Sequence, residues 1–193
     1  MVSINIPKIQ KPSSKVEKPK LSILFKKPVG LFLMTACLML VSHGTYYGFF
    51  SIHLENLGYG KTFIGFAWAL ASAAEILIML KSQYIFSRFT LERVLIFSFM
   101  VAAMRWLILF TAQSAYIIML SQLLHAVTYG TFHMASILYT DRLMPKHAKT
   151  FGQAANNSVT YGLGLMVGFL FNGQLFDMVS SHTLFLFSSI FAL

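Results

Sequence analysis

Cysteine and charge are both scarce in this chain. One cysteine, Cys37, stands among 193 residues. It lies in an apolar run, which excludes a disulfide framework and a thiolate metal site. Charged residues make up 11%, where soluble domains carry about 25%. Asp and Glu together number 6, and Glu75 is the only carboxylate well inside an apolar stretch. No convincing Ser–His–Asp constellation or phosphate-cradling glycine loop is found, so an intramembrane enzyme has little support and no cofactor is implied.

Apolar residues are what the chain has instead, at 56% and a mean hydropathy of +0.68. The expected fold class is all-α, a polytopic membrane helix bundle. Five stretches come near the roughly 20 residues a bilayer crossing needs: 29–50, 62–80, 94–111, 115–138 and 152–176. A sixth, 182–193, would rise only about 18 Å against a hydrocarbon core of about 30 Å. The last helix is therefore expected to be truncated, and the chain to be a fragment or the product of a broken gene.

The net charge of +9 raises the question of nucleic acid, and its placement answers it. Lys8, Lys11, Lys15, Lys18, Lys20, Lys26 and Lys27 precede the first apolar stretch, against Glu17 alone. Residues 1–28, punctuated by Pro7, Pro12, Pro19 and Pro28, read as a basic, disordered cytoplasmic segment that contacts anionic lipid. The segment is no signal peptide, because its polar leader is too long and no small-residue cleavage site follows. Nothing in it would read bases. Lys81, Arg88 and Arg93 fall in one loop and Arg142, Lys146 and Lys149 in another, with Lys61 the only cation in the rest. The positive-inside rule then puts the N-terminus and both basic loops in the cytoplasm.

The stretch 115–138 carries Gln122, His125, Tyr129, His133 and Ser136. At about 100° per residue these fall within an arc of roughly 80°. Lipid cannot satisfy such a stripe, so it faces protein or a water-filled cavity. Two readings stay open, interhelical hydrogen bonding and the wall of a substrate or proton pathway. Glu75 can carry a proton for part of a cycle, or be a structural carboxyl. Arg105, the only cation well inside a span, can bind an anion or snorkel beside Trp106. At about 1.5 Å per residue, Arg105 lies level with His43 and Gln122 and near His125. Glu75 lies deeper, near Tyr129, so a direct Arg105–Glu75 pair would need a long reach. His125 and His133 are about 12 Å apart along a helix, too far to share a metal, and no metal site is expected.

Gly164 and Gly168 suit a close helix approach, with Asn157, Tyr161 and Asn172 expected on a similar face. Trp68 shares a face with Glu75 and could stack on a flat solute. A repeat is visible as well. His43-x-x-x-Tyr47-Gly48-x-Phe50 matches His125-x-x-x-Tyr129-Gly130-x-Phe132, and Ala73-Ala74-Glu75 echoes Ala154-Ala155-Asn156. A three-plus-three repeat of opposite topology is the build of many secondary transporters.

Two blocks carry a family resemblance. The first is His43-Gly-Thr-Tyr-Tyr-Gly-Phe-Phe, then Gly58-Tyr59, Gly65-x-x-Trp68 and Ala74-Glu75. The second is Arg105-Trp106, Gln122-x-x-His125, His133 and Tyr139. From Val29 onward the chain resembles the C-terminal half of a 3-phenylpropionate-type permease of the major facilitator superfamily, a branch similar to nucleoside–proton symporters. Lys8–Lys27 would be its central cytoplasmic loop. The resemblance implies twelve helices in two six-helix halves and proton-coupled uptake across the inner membrane. The N-terminal half is the partner this chain would lack.

The resulting expectation is symport of a proton with a small aromatic or other organic acid such as phenylpropionate. Arg105 attracts the carboxylate and Glu75 with His125 relays the proton. His43, Gln122, Tyr129, Trp68, Tyr47 and Asn157 complete the pathway. The alternatives are a nucleoside or sugar–proton symporter, and a non-transporting membrane remnant or assembly subunit.

Overall fold

The computed structural model describes residues 19–193. Most of the basic leader expected over 1–28 lies outside the described residues. A 3-10 turn, Leu21–Phe25, leads into helix α1 (Lys27–Asn56), where Pro28 takes a first-turn position whose missing N–H costs nothing. Then follow α2 (Lys61–Leu80), α3 (Ser82–Arg88), α4 (Leu91–Thr111), α5 (Ala115–Leu123), α6 (Phe132–Leu143), α7 (Lys149–Asn157), α8 (Leu165–Leu175) and α9 (Ser181–Phe191). By length and composition α1, α2 and α4 can each cross a membrane.

Local chemistry sets several boundaries. Helix α1 runs beyond residue 50 to Asn56 and stops at Gly58, whose φ of +85° supplies the left-handed turn that ends it. The Thr90 side chain accepts from Arg93 N at 3.4 Å and caps α4. The basic loop before α4 is partly helical, as α3. The stretches 115–138 and 152–176 are not the uninterrupted α-helices the pattern suggested. A π-helical segment, Ala126–Thr131, joins α5 to α6, and another, Ser158–Gly164, joins α7 to α8. Such wide turns often accompany functional sites.

Apolar side chains cover the outside as well as filling the core, and the polar groups of the helices are held inside, as a lipid solvent demands. Phe66, Ile76 and Leu77 on α2, Met100, Met104 and Leu107 on α4, and Met166 and Leu170 on α8 are exposed. Ser42, His43, Thr45, Arg105, Gln122, Thr160 and Asn172 are buried. Helix α1 is the central post and packs on α8, α9 and the second π segment. Its seam with α8 needs glycine. A Cβ on Gly44 would stand 2.7 Å from Gly168 Cα, and one on Gly168 would stand 2.7 Å from Val41 O. Beside this seam Thr45 Oγ1 donates to Asn172 Oδ1 at 2.7 Å and lies 2.6 Å from Ser188 Oγ, tying α1, α8 and α9 at one point.

Candidate functional site

Helix α4 turns Arg105 inward, where it is fully buried. Its donors are engaged in several directions. Nε donates to Ser121 O at 3.0 Å, Nη1 to His125 Nδ1 at 3.0 Å and to Thr128 Oγ1 at 3.3 Å, and Nη2 to Gln122 Oε1 at 3.2 Å. The guanidinium carbon lies 4.2 Å from the Tyr46 ring centroid, a cation–π contact. Tyr46 Oη also donates to Gln122 Oε1 at 2.9 Å. The charge is thus buried with acceptors on the fourth span and a ring from α1, which a buried cation requires. Arg105 does not snorkel.

An arginine only donates, so His125 Nδ1 accepts and Nε2 carries the ring proton. Nε2 lies 3.7 Å from Glu75 Oε2, with the His125 side chain 5% exposed and that of Glu75 22%. Arg105 and Glu75 do not touch among the described contacts, and the His125 ring stands between them. Gly130 lets α2 come this close. A Cβ there would meet Ile78 Cγ2 at 2.7 Å and Glu75 Cγ at 3.3 Å.

Around Glu75 lies a half-buried aromatic face. Tyr47 stacks with Trp68 at 6.2 Å and 16°, and the Trp68 Nε1 donates to Ser51 Oγ at 3.0 Å. Tyr129 stacks on His125 at 5.3 Å and on His133 at 5.9 Å. His133 Nδ1 lies 2.5 Å from Tyr161 Oη. The counterparts of the sequence repeat meet here, His43 and His125 with ring centroids 6.1 Å apart and Tyr47 and Tyr129 likewise 6.1 Å apart.

The residues singled out from sequence therefore divide. Arg105, Gln122 and His125 form one bonded cluster with Glu75 at its edge, while Tyr47, Trp68 and Tyr129 form the face beside it. His43 is sealed inside, its Nδ1 donating to Met39 O at 2.8 Å and its ring edge-on to Trp106. Asn157 is exposed, and its neighbour Asn156 is the buried one, donating to Ser136 Oγ at 3.1 Å and accepting from Thr160 at 3.1 Å. Asn157, Tyr161 and Asn172 do not share a face. Asn172 is buried beside α1 and Tyr161 lines the aromatic face, because the π segment between 158 and 164 resets the angular register. Sequence reasoning missed Tyr46 over the guanidinium. Its spacing from His43, three residues along α1, was the available signal.

Comparison with known proteins places this arrangement. Residues 3–187 match the MFS_1 like family. A "Probable 3-phenylpropionic acid transporter" of Escherichia coli (strain K12) is 27% identical over 162 residues, covering 84% of this chain and 42% of that protein. A maltose permease of Geobacillus stearothermophilus is 24% identical over 171 residues, covering 87% of this chain and 43% of that protein. A crystal structure of the nucleoside transporter NupG superposes with a TM-score of 0.77 at 14% identity, over 89% of this chain and 47% of that one, which is a likeness of fold. The chain thus spans less than half the length of these relatives. A bundle of apolar helices that keeps its polar groups inside and a family match along nearly its whole length agree, and the chain belongs to the MFS_1-like family of multi-pass membrane transporters within the major facilitator superfamily.

Proposed function

We propose that this chain is the C-terminal half of a proton-coupled symporter for a small aromatic organic acid, working with an N-terminal six-helix half in the inner membrane, its own N-terminus cytoplasmic. The observation that carries the reading is the Arg105–His125–Glu75 chain opening onto the aromatic face. With Glu75 ionised, its charge balances Arg105. A proton on Glu75 leaves the Arg105 charge uncompensated. At about 6–8 Å and an effective dielectric of about 20, that charge still attracts an anion by roughly 2–3 kcal/mol. Proton and organic anion then favour each other's binding, which is the coupling a symporter needs.

In this reading Arg105 acts mainly through its field, since four of its five N–H groups are held by protein acceptors. Glu75 carries the proton. His125 aims a neutral Nε2–H at it, because a second ring proton would face the guanidinium. Tyr47, Trp68 and Tyr129 stack on the solute ring.

One observation favours a second reading, a neutral nucleoside or sugar. Four of the five Arg105 N–H groups are already held by protein acceptors, which leaves little to bind a carboxylate. Proton-driven uptake by the chain within a twelve-helix permease, competed by 3-phenylpropionate, uridine and maltose, separates the two. Glu75→Gln should abolish accumulation while leaving substrate exchange intact. Accumulation at the wild-type rate would remove Glu75 from the mechanism, and competition by uridine or maltose alone would overturn the acid.

A further inference from the structure

A groove of about 430 Å³ opens where α2 ends and α4 begins, apart from the Arg105–His125–Glu75 cluster. That volume suits a ligand, for which about 300–1,000 Å³ is usual. Ile78 of α2, Phe89 after α3, Val94 and Phe97 of α4, and Val127 of the first π segment give it hydrocarbon walls. Thr131 lines it too, but its hydroxyl donates to Val127 O at 2.7 Å and lies 3.0 Å from Ser98 Oγ. Its proton is therefore taken, and it offers a guest no donor.

The charged residue of the lining is Arg93, which is exposed. The neighbouring carboxylate, Glu92, is held by Arg142 at 2.6 Å. Lys81 and Arg88 add positive charge in the same loop, and neither they nor Arg93 joins an ion pair among the described residues. Because α2 and α4 are long and apolar enough to cross the bilayer, their shared end lies at headgroup level. A hydrocarbon slot with a cationic lip at that level fits one chemistry, an acyl tail bearing an anion. A zwitterionic lipid would bring a cation of its own to the lip beside Arg93 and weaken the pairing, and a soluble anion would leave the walls wet.

We propose that this groove binds an anionic phospholipid, one acyl chain between Phe89 and Phe97 and its phosphate on Arg93. The site is independent of the transport reading, since it shares no residue with the Glu75 cluster.

The test is native mass spectrometry of the full chain in a neutral detergent, titrated with phosphatidylglycerol or phosphatidylcholine of identical acyl chains. One phosphatidylglycerol should be retained about five-fold more strongly, the factor one cation near an anionic headgroup carries. Arg93→Gln should sharply lower that preference, and Lys146→Gln, in the other basic loop, should leave it. Ile78→Trp, which fills the slot, should lower retention of both lipids. Equal retention of the two lipids by the wild type would overturn the proposal. So would an unchanged preference in Arg93→Gln, or equal losses in Arg93→Gln and Lys146→Gln. Because Arg93 is exposed, its substitution leaves packing untouched even if Ile78→Trp fails to fold.

Discussion

Arg105 Nη1 and His125 Nδ1 lie 3.0 Å apart, and this contact fixes which edge of the imidazole faces Glu75. The guanidinium can only donate, so the ring is held as the Nε2–H form. His125→Phe keeps the ring volume but removes the acceptor. A buried charged donor left without its partner costs at least about 1–3 kcal/mol. Thermal unfolding in detergent should shift down by several degrees, and an unshifted midpoint would mean the contact contributes nothing.

Arg105 and Gln122 should also prove coupled. Nη2 donates to Gln122 Oε1, which accepts from Tyr46 as well. Residues sharing a buried network show interaction energies of about 0.5–3 kcal/mol. A double-mutant cycle of Arg105→Lys and Gln122→Leu should return a value in that range. Lysine cannot reproduce the fork, so the single substitution alone should destabilise. Strict additivity would show two independent sites.

The two π segments carry glycines with opposite prospects. Gly130→Ala would drive a methyl to 2.7 Å from Ile78 Cγ2, whereas nothing lies within 4 Å of a Cβ on Gly162. Overpacking costs about 1–3 kcal/mol, so Gly130→Ala should lower the unfolding temperature. Gly162→Ala should be neutral or slightly stabilising. Equal effects from both would show that α2 can retreat without cost.

A pH effect is expected where the last turn of α6 meets α7. Gln153 donates to Asp141 Oδ1 and Lys149 to Oδ2, each below 3 Å. These bonds hold the Asp141 carboxyl below its ordinary value. A depressed carboxylate stabilises the fold above the unfolded value, near 3.8, and that contribution is lost as pH falls through the folded value. The gap in unfolding temperature between wild type and Asp141→Asn should be present at pH 7 and should shrink toward pH 3. A gap that widens on acidification would reverse the sign.

Some of this was legible in the chain alone. Scarce charge and long apolar runs imply a helical membrane bundle because a bilayer permits little else. Rise per residue put Arg105 level with His43 and Gln122 and near His125; Gln122 and His125 bond it, while His43 turns to Met39 O instead. The π segments were not legible, since a window at 100° per residue has no means of registering a widened turn. That is why Asn157 does not share a face with Tyr161 and Asn172, and why the buried Asn156 was passed over. The Tyr46 contact was hidden for another reason. Whether Tyr46 or Tyr47 turns to the guanidinium depends on how α1 is rotated against α4, and adjacent tyrosines do not encode that.

The two tryptophans of the chain both pack on Tyr46, Trp68 at 4.6 Å and Trp106 at 5.8 Å between ring centroids. Trp106 is sealed from solvent and Trp68 is half-buried at the aromatic face. The protein therefore carries its own optical probe. A ring settling against Trp68 would quench or shift the intrinsic fluorescence, while the dry emission of Trp106 serves as an internal reference, and solutes can be screened without any label.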